Sequence, residues 1–195
     1  MHIEYEATFR DVDKNEIRER LKHAGATLMR PEFMQRRIVF NLPSGHGIYG
    51  AWMRVRDEGD KVTMSYKVVD NRETDRNIEN QKELCLTIDS FDDAVSMLSG
   101  IGCERKAYQE TKRELWELDG VEICIDEWPY LEPFVEVEGK SEEEVKQICE
   151  KLGFDYSVAL FCSVGTLYSK KYGFPEEVFN NQKSVITFRD PNPFA

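Results

Sequence analysis

Glu4 and Glu6 stand two residues apart near the start of the chain, and the same spacing returns in Glu136 and Glu138. Arg54 and Arg56 repeat it with the opposite charge. Successive side chains of a strand point to opposite faces, so each pair shares one face. Thr8 completes the face of Glu4 and Glu6. Lys67 shares a face with Lys61, Thr63 and Ser65, and Asp126 shares one with Glu122 and Cys124. Glu83 belongs to the series Glu79, Gln81, Glu83, Cys85, although Lys82 weakens the apolar character of the opposite face. Lys112 and Arg113 are adjacent, so only one of them can point the same way as the others; Arg113, with Thr111, is preferred.

On any single strand, a charged face is the ordinary wet side of an antiparallel sheet. The joint pattern has another reading. A small barrel whose apolar outer faces are covered by helices turns these polar faces inward. It would then enclose Glu4, Glu6, Asp126, Glu136 and Glu138 together with Arg54, Arg56, Lys67 and Arg113. Buried charges must be paired or must bind metal. Carboxylates without sulfur or imidazole suit a hard cation such as Mg²⁺ or Mn²⁺. Arginines match phosphate oxygens with a bidentate fork. A metal and arginines around a phosphate chain neutralise developing charge and align the attacking and leaving oxygens.

The elements that must position these residues follow from punctuation and periodicity. A strand runs to about Phe9, and Asp13 caps a helical pattern through Ile17, Leu21 and Ala24 that Gly25 stops. Strand segments follow in FMQRRIVFNL, AWMRVRD and KVTMSYKVV, the last two joined by a Glu58-Gly59-Asp60 hairpin turn. The polar stretch 71–76 breaks the pattern before QKELCLTI. Ser90 opens a helix to Gly100. Strands are then expected over 107–118, VEICIDEW and PFVEVEG, with an Asp119-Gly120 turn after the first. Ser141 and Glu144 form a capping box for a helix ending near Gly153, and a short helix is expected over 164–171. The fold class is α+β, an eight-stranded antiparallel closed or nearly closed barrel with flanking helices.

Composition narrows the function classes. At 195 residues, without repeats or linkers, the chain is read as one domain over 1–195. A net charge of −11 argues against a general nucleic-acid surface but leaves room for a local basic site. The five widely spaced cysteines form no CxxC pair and read as reduced, mostly buried thiols. No apolar run is long enough to span a bilayer and the N-terminus has no signal arrangement, so a cytoplasmic location is expected.

The ordered set of ExEx(T), WMRVR, SYK, KEL, TKREL, IDEWP and VEVEG resembles the CYTH domain proteins, or triphosphate tunnel metalloenzymes, over about residues 1–172. The family includes class IV adenylate cyclases, thiamine triphosphatases and inorganic triphosphatases. The resemblance implies an eight-stranded tunnel and a triphosphate substrate such as ATP, thiamine triphosphate or tripolyphosphate, bound with Mg²⁺ or Mn²⁺. It implies either cyclisation of ATP to cyclic AMP and pyrophosphate or hydrolysis of the terminal phosphoryl group. By the same resemblance Arg54, Arg56, Lys67 and Arg113 bind triphosphate. Glu4, Glu6, Glu83, Asp126, Glu136 and Glu138 are metal-side acids, with Glu4, Glu6, Glu136 and Glu138 also expected to be catalytic. Family cyclases can be homodimers. Thr8 occupies the place of the signature lysine and offers a hydroxyl to the substrate without a charge. That departure keeps a non-catalytic triphosphate-binding module as the alternative. Neither a nucleic-acid nor a membrane partner is expected, and residues 180–195 form a tail.

Overall fold

In the computed structural model the described residues are 1–70, 77–176, 178–179 and 184–194; the polar break at 71–76 lies outside them. In chain order the elements are β1 (His2–Ile3), β2 (Tyr5–Phe9), α1 (Lys14–Ala24), β3 (Thr27–Asn41), β4 (Ala51–Asp57), β5 (Val62–Val69) and β6 (Gln81–Ile88). They continue with α2 (Phe91–Gly100), β7 (Glu104–Leu118), β8 (Val121–Glu127), β9 (Phe134–Gly139), α3 (Glu142–Lys151), α4 (Val164–Tyr172) and β10 (Val185–Ile186).

The strand order is β1-β6-β5-β4-β3-β7-β8-β9-β2, antiparallel throughout, and β10 adds in parallel to β7. The two ends of this order, β1 and β2, flank Glu4 in the chain. β1 pairs with β6 and β2 with β9, and the Glu4 N–H donates to the Gln81 carbonyl at 2.9 Å. The N-terminal stretch therefore stitches both edges of the sheet into a nearly closed barrel. Among the described residues the wall has ten strands where eight are expected from the sequence, because the first strand divides at Glu4 and β10 is added.

The helices begin and end where their caps direct. The Asp13 carboxylate accepts from the Asn15 and Glu16 N–H groups, and Gly25 closes α1 at φ +83°. The Ser90 and Ser141 hydroxyls accept from Asp93 and Glu144 N–H groups. β3 starts earlier than the apolar pattern implies; register shifts between Leu28 and Phe33 accommodate Pro31 in that extension.

Outer faces carry the hydrophobic core. Ile17 and Leu21 of α1 and Val145 and Ile148 of α3 pack on Ala7, Ile123, Val135 and Val137. Ala94, Val95 and Leu98 of α2 cover Ile38, Phe40 and Val55. Leu167 and Tyr168 of α4 join Trp128, Phe134 and Ile186 in a third cluster. Each fully buried side chain of this kind contributes roughly 1.5–3 kcal/mol. Because Val135 and Val137 face the helices, Glu136 and Glu138, which alternate with them, face the barrel interior.

Candidate active site in the barrel interior

The interior is a cavity of about 500 Å³. Glu4, Glu6, Glu83, Glu136 and Glu138 line it, together with Arg54, Arg56, Lys67 and Arg113. Eight of the residues expected from alternation, and Glu83 expected from the resemblance, therefore meet in one space. Thr8 and Asp126 are buried, at 3% and 1% exposure, but are not among the lining residues. Thr8 lies in register with Glu136, and its backbone exchanges hydrogen bonds of 2.9 and 3.0 Å with Leu160. Both Asp126 oxygens accept from Arg113, at 2.8 Å from Nε and 2.6 Å from Nη2.

The charges fall into two neighbourhoods. In one, Lys67 Nζ lies 2.9 Å from Glu4 and 3.7 Å from Glu83, and Arg54 Nη2 reaches Glu83 at 3.0 Å. Burial raises Glu4 to about 8, with Lys67 opposing and Glu83 reinforcing the shift. For Glu83, burial is outweighed by a hydrogen bond from Glu4 and by the charges of Arg54 and Lys67, so its carboxyl is held below the usual range. Burial also opposes the charge on Lys67, but Glu4 and Glu83 hold its pKa above the ordinary value.

In the other neighbourhood, Glu6, Glu138 and Glu122 occupy successive cross-strand positions on β2, β9 and β8. Glu6 is pushed up to about 8, first by burial, with Lys67 opposing and Glu4 and Glu138 adding repulsion. Burial likewise raises Glu138, and raises Glu136 well above the carboxylate range with Glu6 and Asp126 reinforcing it. Arg113 Nη2 contacts Glu136 at 2.6 Å. Burial of Arg113 is outweighed by Asp126 and by the other nearby acids, so it stays firmly cationic.

Five further charged groups complete the site. Arg37, Lys106, Glu122 and Glu176 line the cavity, and Glu58 pairs with Arg56 at 2.7 Å. Arg37 was not singled out from the sequence, although alternation could have found it, since Ile38 and Phe40 take the outer face with Arg36. Lys106 had no such signal. Val39 pairs with Ala107 and Phe40 with Arg105, which leaves Lys106 as an extra residue in a β-bulge. That bulge brings Lys106 to the cavity beside the inward Ala107 and Gln109. Glu176 comes from beyond α4, where it accepts hydrogen bonds from the Ser163 and Thr166 hydroxyls at 2.6 and 2.9 Å.

Among the described residues, no three His, Cys, Asp or Glu side chains converge tightly enough to hold a metal by themselves. The acids instead form a row at strand spacing. That donor set fits a small hard cation such as Mg²⁺, which commonly binds one or two carboxylates and completes its shell with water and phosphate oxygens.

Fold and site together define a nearly closed β-barrel with acids and guanidinium groups facing its lumen. The chain belongs to the CYTH domain family, whose model matches residues 2–161. No curated protein matches the sequence. Among solved structures, a candidate adenylate cyclase from Vibrio parahaemolyticus superposes with a TM-score of 0.72 at 14% identity, over 86% of this chain and 98% of that one. A candidate adenylyl cyclase from Hippeastrum with a dominant triphosphatase activity gives 0.55 at 14% identity, over 88% and 98%. A Pyrococcus horikoshii protein gives 0.64 at 21% identity, over 80% and 93%. These three share the fold with this chain. No helix of the described residues is long and apolar enough to cross a membrane.

Proposed function

We propose that this protein is a divalent-metal-dependent enzyme acting on a triphosphate, either as a triphosphate phosphohydrolase or as an adenylate cyclase of the class IV type. The observation that carries the reading is the convergence of guanidinium, ammonium and carboxyl groups within one cavity. Arg54, Arg56 and Lys67 stand on β4 and β5, and the cross-strand acids Glu6, Glu138 and Glu122 stand on β2, β9 and β8. Family membership supports the same substrate class.

In this reading the guanidinium groups bind and orient the phosphate chain, each offering paired N–H donors to its oxygens. Lys67 pairs with Glu4 and Glu83, and Arg54 with Glu83, so phosphate oxygens would exchange with these carboxylates at the same cations. Glu6, Glu136 and Glu138 would hold Mg²⁺ or Mn²⁺ against the chain. When bound, the ion supplies charge neutralisation at the phosphate oxygens and lowers the pKa of a coordinated nucleophile. Burial, and then the charges of Glu6 and Asp126, favour the protonated form of Glu136, so an ion held there would compete with a proton for that carboxyl.

Incubating the protein with ATP, thiamine triphosphate or tripolyphosphate and either ion, then identifying the products, tests the proposal. Orthophosphate identifies a phosphohydrolase, whereas cyclic AMP with pyrophosphate identifies a cyclase. Tight metal-dependent binding without either product makes the protein a capture module, and absence of binding refutes the triphosphate reading.

A further inference from the structure

Four guanidinium groups line the cavity, and three have a carboxylate against them. Arg54 has Glu83 at 3.0 Å, Arg56 has Glu58 at 2.7 Å, and Arg113 has Asp126 and Glu136 at 2.6 Å each. Arg37 differs. Its Nη2 donates to Gln35 Oε1 at 2.9 Å and to Thr111 Oγ1 at 2.6 Å, and its guanidinium lies 4.6 Å from the centre of the Trp128 ring. Neutral acceptors and an aromatic face orient a cation without cancelling its charge. Among the described residues no carboxylate forms an ion pair with Arg37, although only 6% of it is exposed.

Two further features make this arrangement unfavourable without a ligand. Arg37 is directly opposite Arg56 across β3 and β4, and like charges in register repel. The Nε atoms of Arg37, Arg54 and Arg56 are all buried and have no hydrogen-bond partner. Burial, and then the charges of Arg54, Arg56 and Arg113, hold the Arg37 pKa well below its ordinary value, with the more distant charge of Asp126 opposing them. A guanidinium oriented by Thr111, Gln35 and Trp128, with no carboxylate in contact with it among the described residues, is prepared for an anion brought from outside.

We propose that Arg37 is an anion-binding residue of the tunnel, adding a fourth guanidinium for the phosphate chain where the protein's own carboxylates leave positive charge uncompensated. The proposal rests on the triphosphate reading above. It also supplies cationic charge to a site in which Thr8 offers only a hydroxyl.

Calorimetric titration of tripolyphosphate with Mg²⁺ into the wild-type protein, Arg37→Met and Arg37→Gln, paired with melting curves of the ligand-free proteins, tests this. The expected result is an affinity about ten- to a hundredfold weaker in both variants, the range of a lost charge-assisted hydrogen bond. The ligand-free melting temperature should hold or rise, because the buried unpaired charge is gone. Should Arg37→Met fail to fold, Arg37→Gln decides by the same affinity criterion. Wild-type affinity in a folded variant, or a lower ligand-free melting temperature without loss of affinity, overturns the proposal and leaves Arg37 a structural residue. Failure of the wild type itself to bind tripolyphosphate overturns the triphosphate reading as well.

Discussion

Glu6 on β2 and Glu138 on β9 are directly opposed across their strand pair, and Glu138 meets Glu122 of β8 on its other side. Three carboxyl groups at neighbouring cross-strand positions repel when ionised. Burial first, and then the charges of Glu4 and Glu138, push Glu6 up to about 8, so the folded protein favours its protonated form.

That retention sets a pH dependence. Between about 4.5 and 8 the folded state holds protons at Glu4 and Glu6 that the unfolded chain releases. Stability therefore falls as pH rises through this window. Glu83 acts oppositely, because its lowered pKa contributes stability that is lost only in acid. The melting temperature of the metal-free protein should drop by about 5 °C or more between pH 5 and pH 8, given roughly 2–4 °C per kcal/mol for a chain of this size. Glu6→Gln should flatten the decline. A pH-independent melting temperature would refute the assignment of a raised pKa to these acids.

A second prediction concerns Asp126, whose two oxygens are both engaged by Arg113. Asp126→Asn leaves Arg113 with Glu136 as its carboxylate partner among the described contacts. Breaking one side of a buried ion pair costs about 3–5 kcal/mol, corresponding to a melting temperature lower by roughly 6–20 °C. The dependence of activity on Mg²⁺ concentration should change much less than it does in Glu136→Gln. If Asp126→Asn melts normally but needs far more metal, Asp126 is a ligand and the positioning role fails.

Much of this site was legible because strand alternation survives burial. Glu4, Glu6, Arg54, Arg56, Glu136 and Glu138 kept the faces that their spacing assigns, since the interleaved Val55, Val135 and Val137 are held in the outer core. Alternation fails where the register changes. Lys106 sits in a bulge that only the pairing with β3 reveals, and Glu176 stands at a helical position after α4, where the sequence reading places no element. The division of the first strand at Glu4 was hidden for a similar reason: a run of alternating residues does not say that its two halves bond to different neighbours.

At the mouth of the cavity, Gly50 gives a stability prediction with an internal control. Gly50 adopts φ +66°, and a Cβ there would overlap the Val69 carbonyl oxygen. The Val69 N–H in turn donates to the Gly50 carbonyl at 3.0 Å, so the two backbones cannot separate without losing that bond. Gly45 also has positive φ, at +87°, but open space around its Cβ position. Gly50→Ala should therefore be destabilised more than Gly45→Ala, whose strain alone is about 1–3 kcal/mol at most. Denaturant midpoints compare them directly. Equal midpoints would show that the Gly50–Val69 approach has slack.

Thr8→Lys tests what the missing lysine means. Thr8 shares the inward face of β2 with Glu6 and lies in register with Glu136. An ammonium placed there would favour the ionised form of Glu136, whose pKa burial has raised. The pH profile of triphosphate turnover should move to lower pH, because Glu136 becomes available to a cation while more of the protein's protons are still bound. On the proposed triphosphate reading, turnover near neutral pH should rise, since the added charge favours the ionised carboxylate. A buried lysine can also disturb packing, because Thr8 is almost inaccessible and its backbone is tied to Leu160. The profile separates the two effects: a packing defect lowers activity at every pH, whereas easier ionisation of Glu136 displaces the acidic limb. A folded Thr8→Lys protein with an unmoved limb would show that the added charge does not reach Glu136.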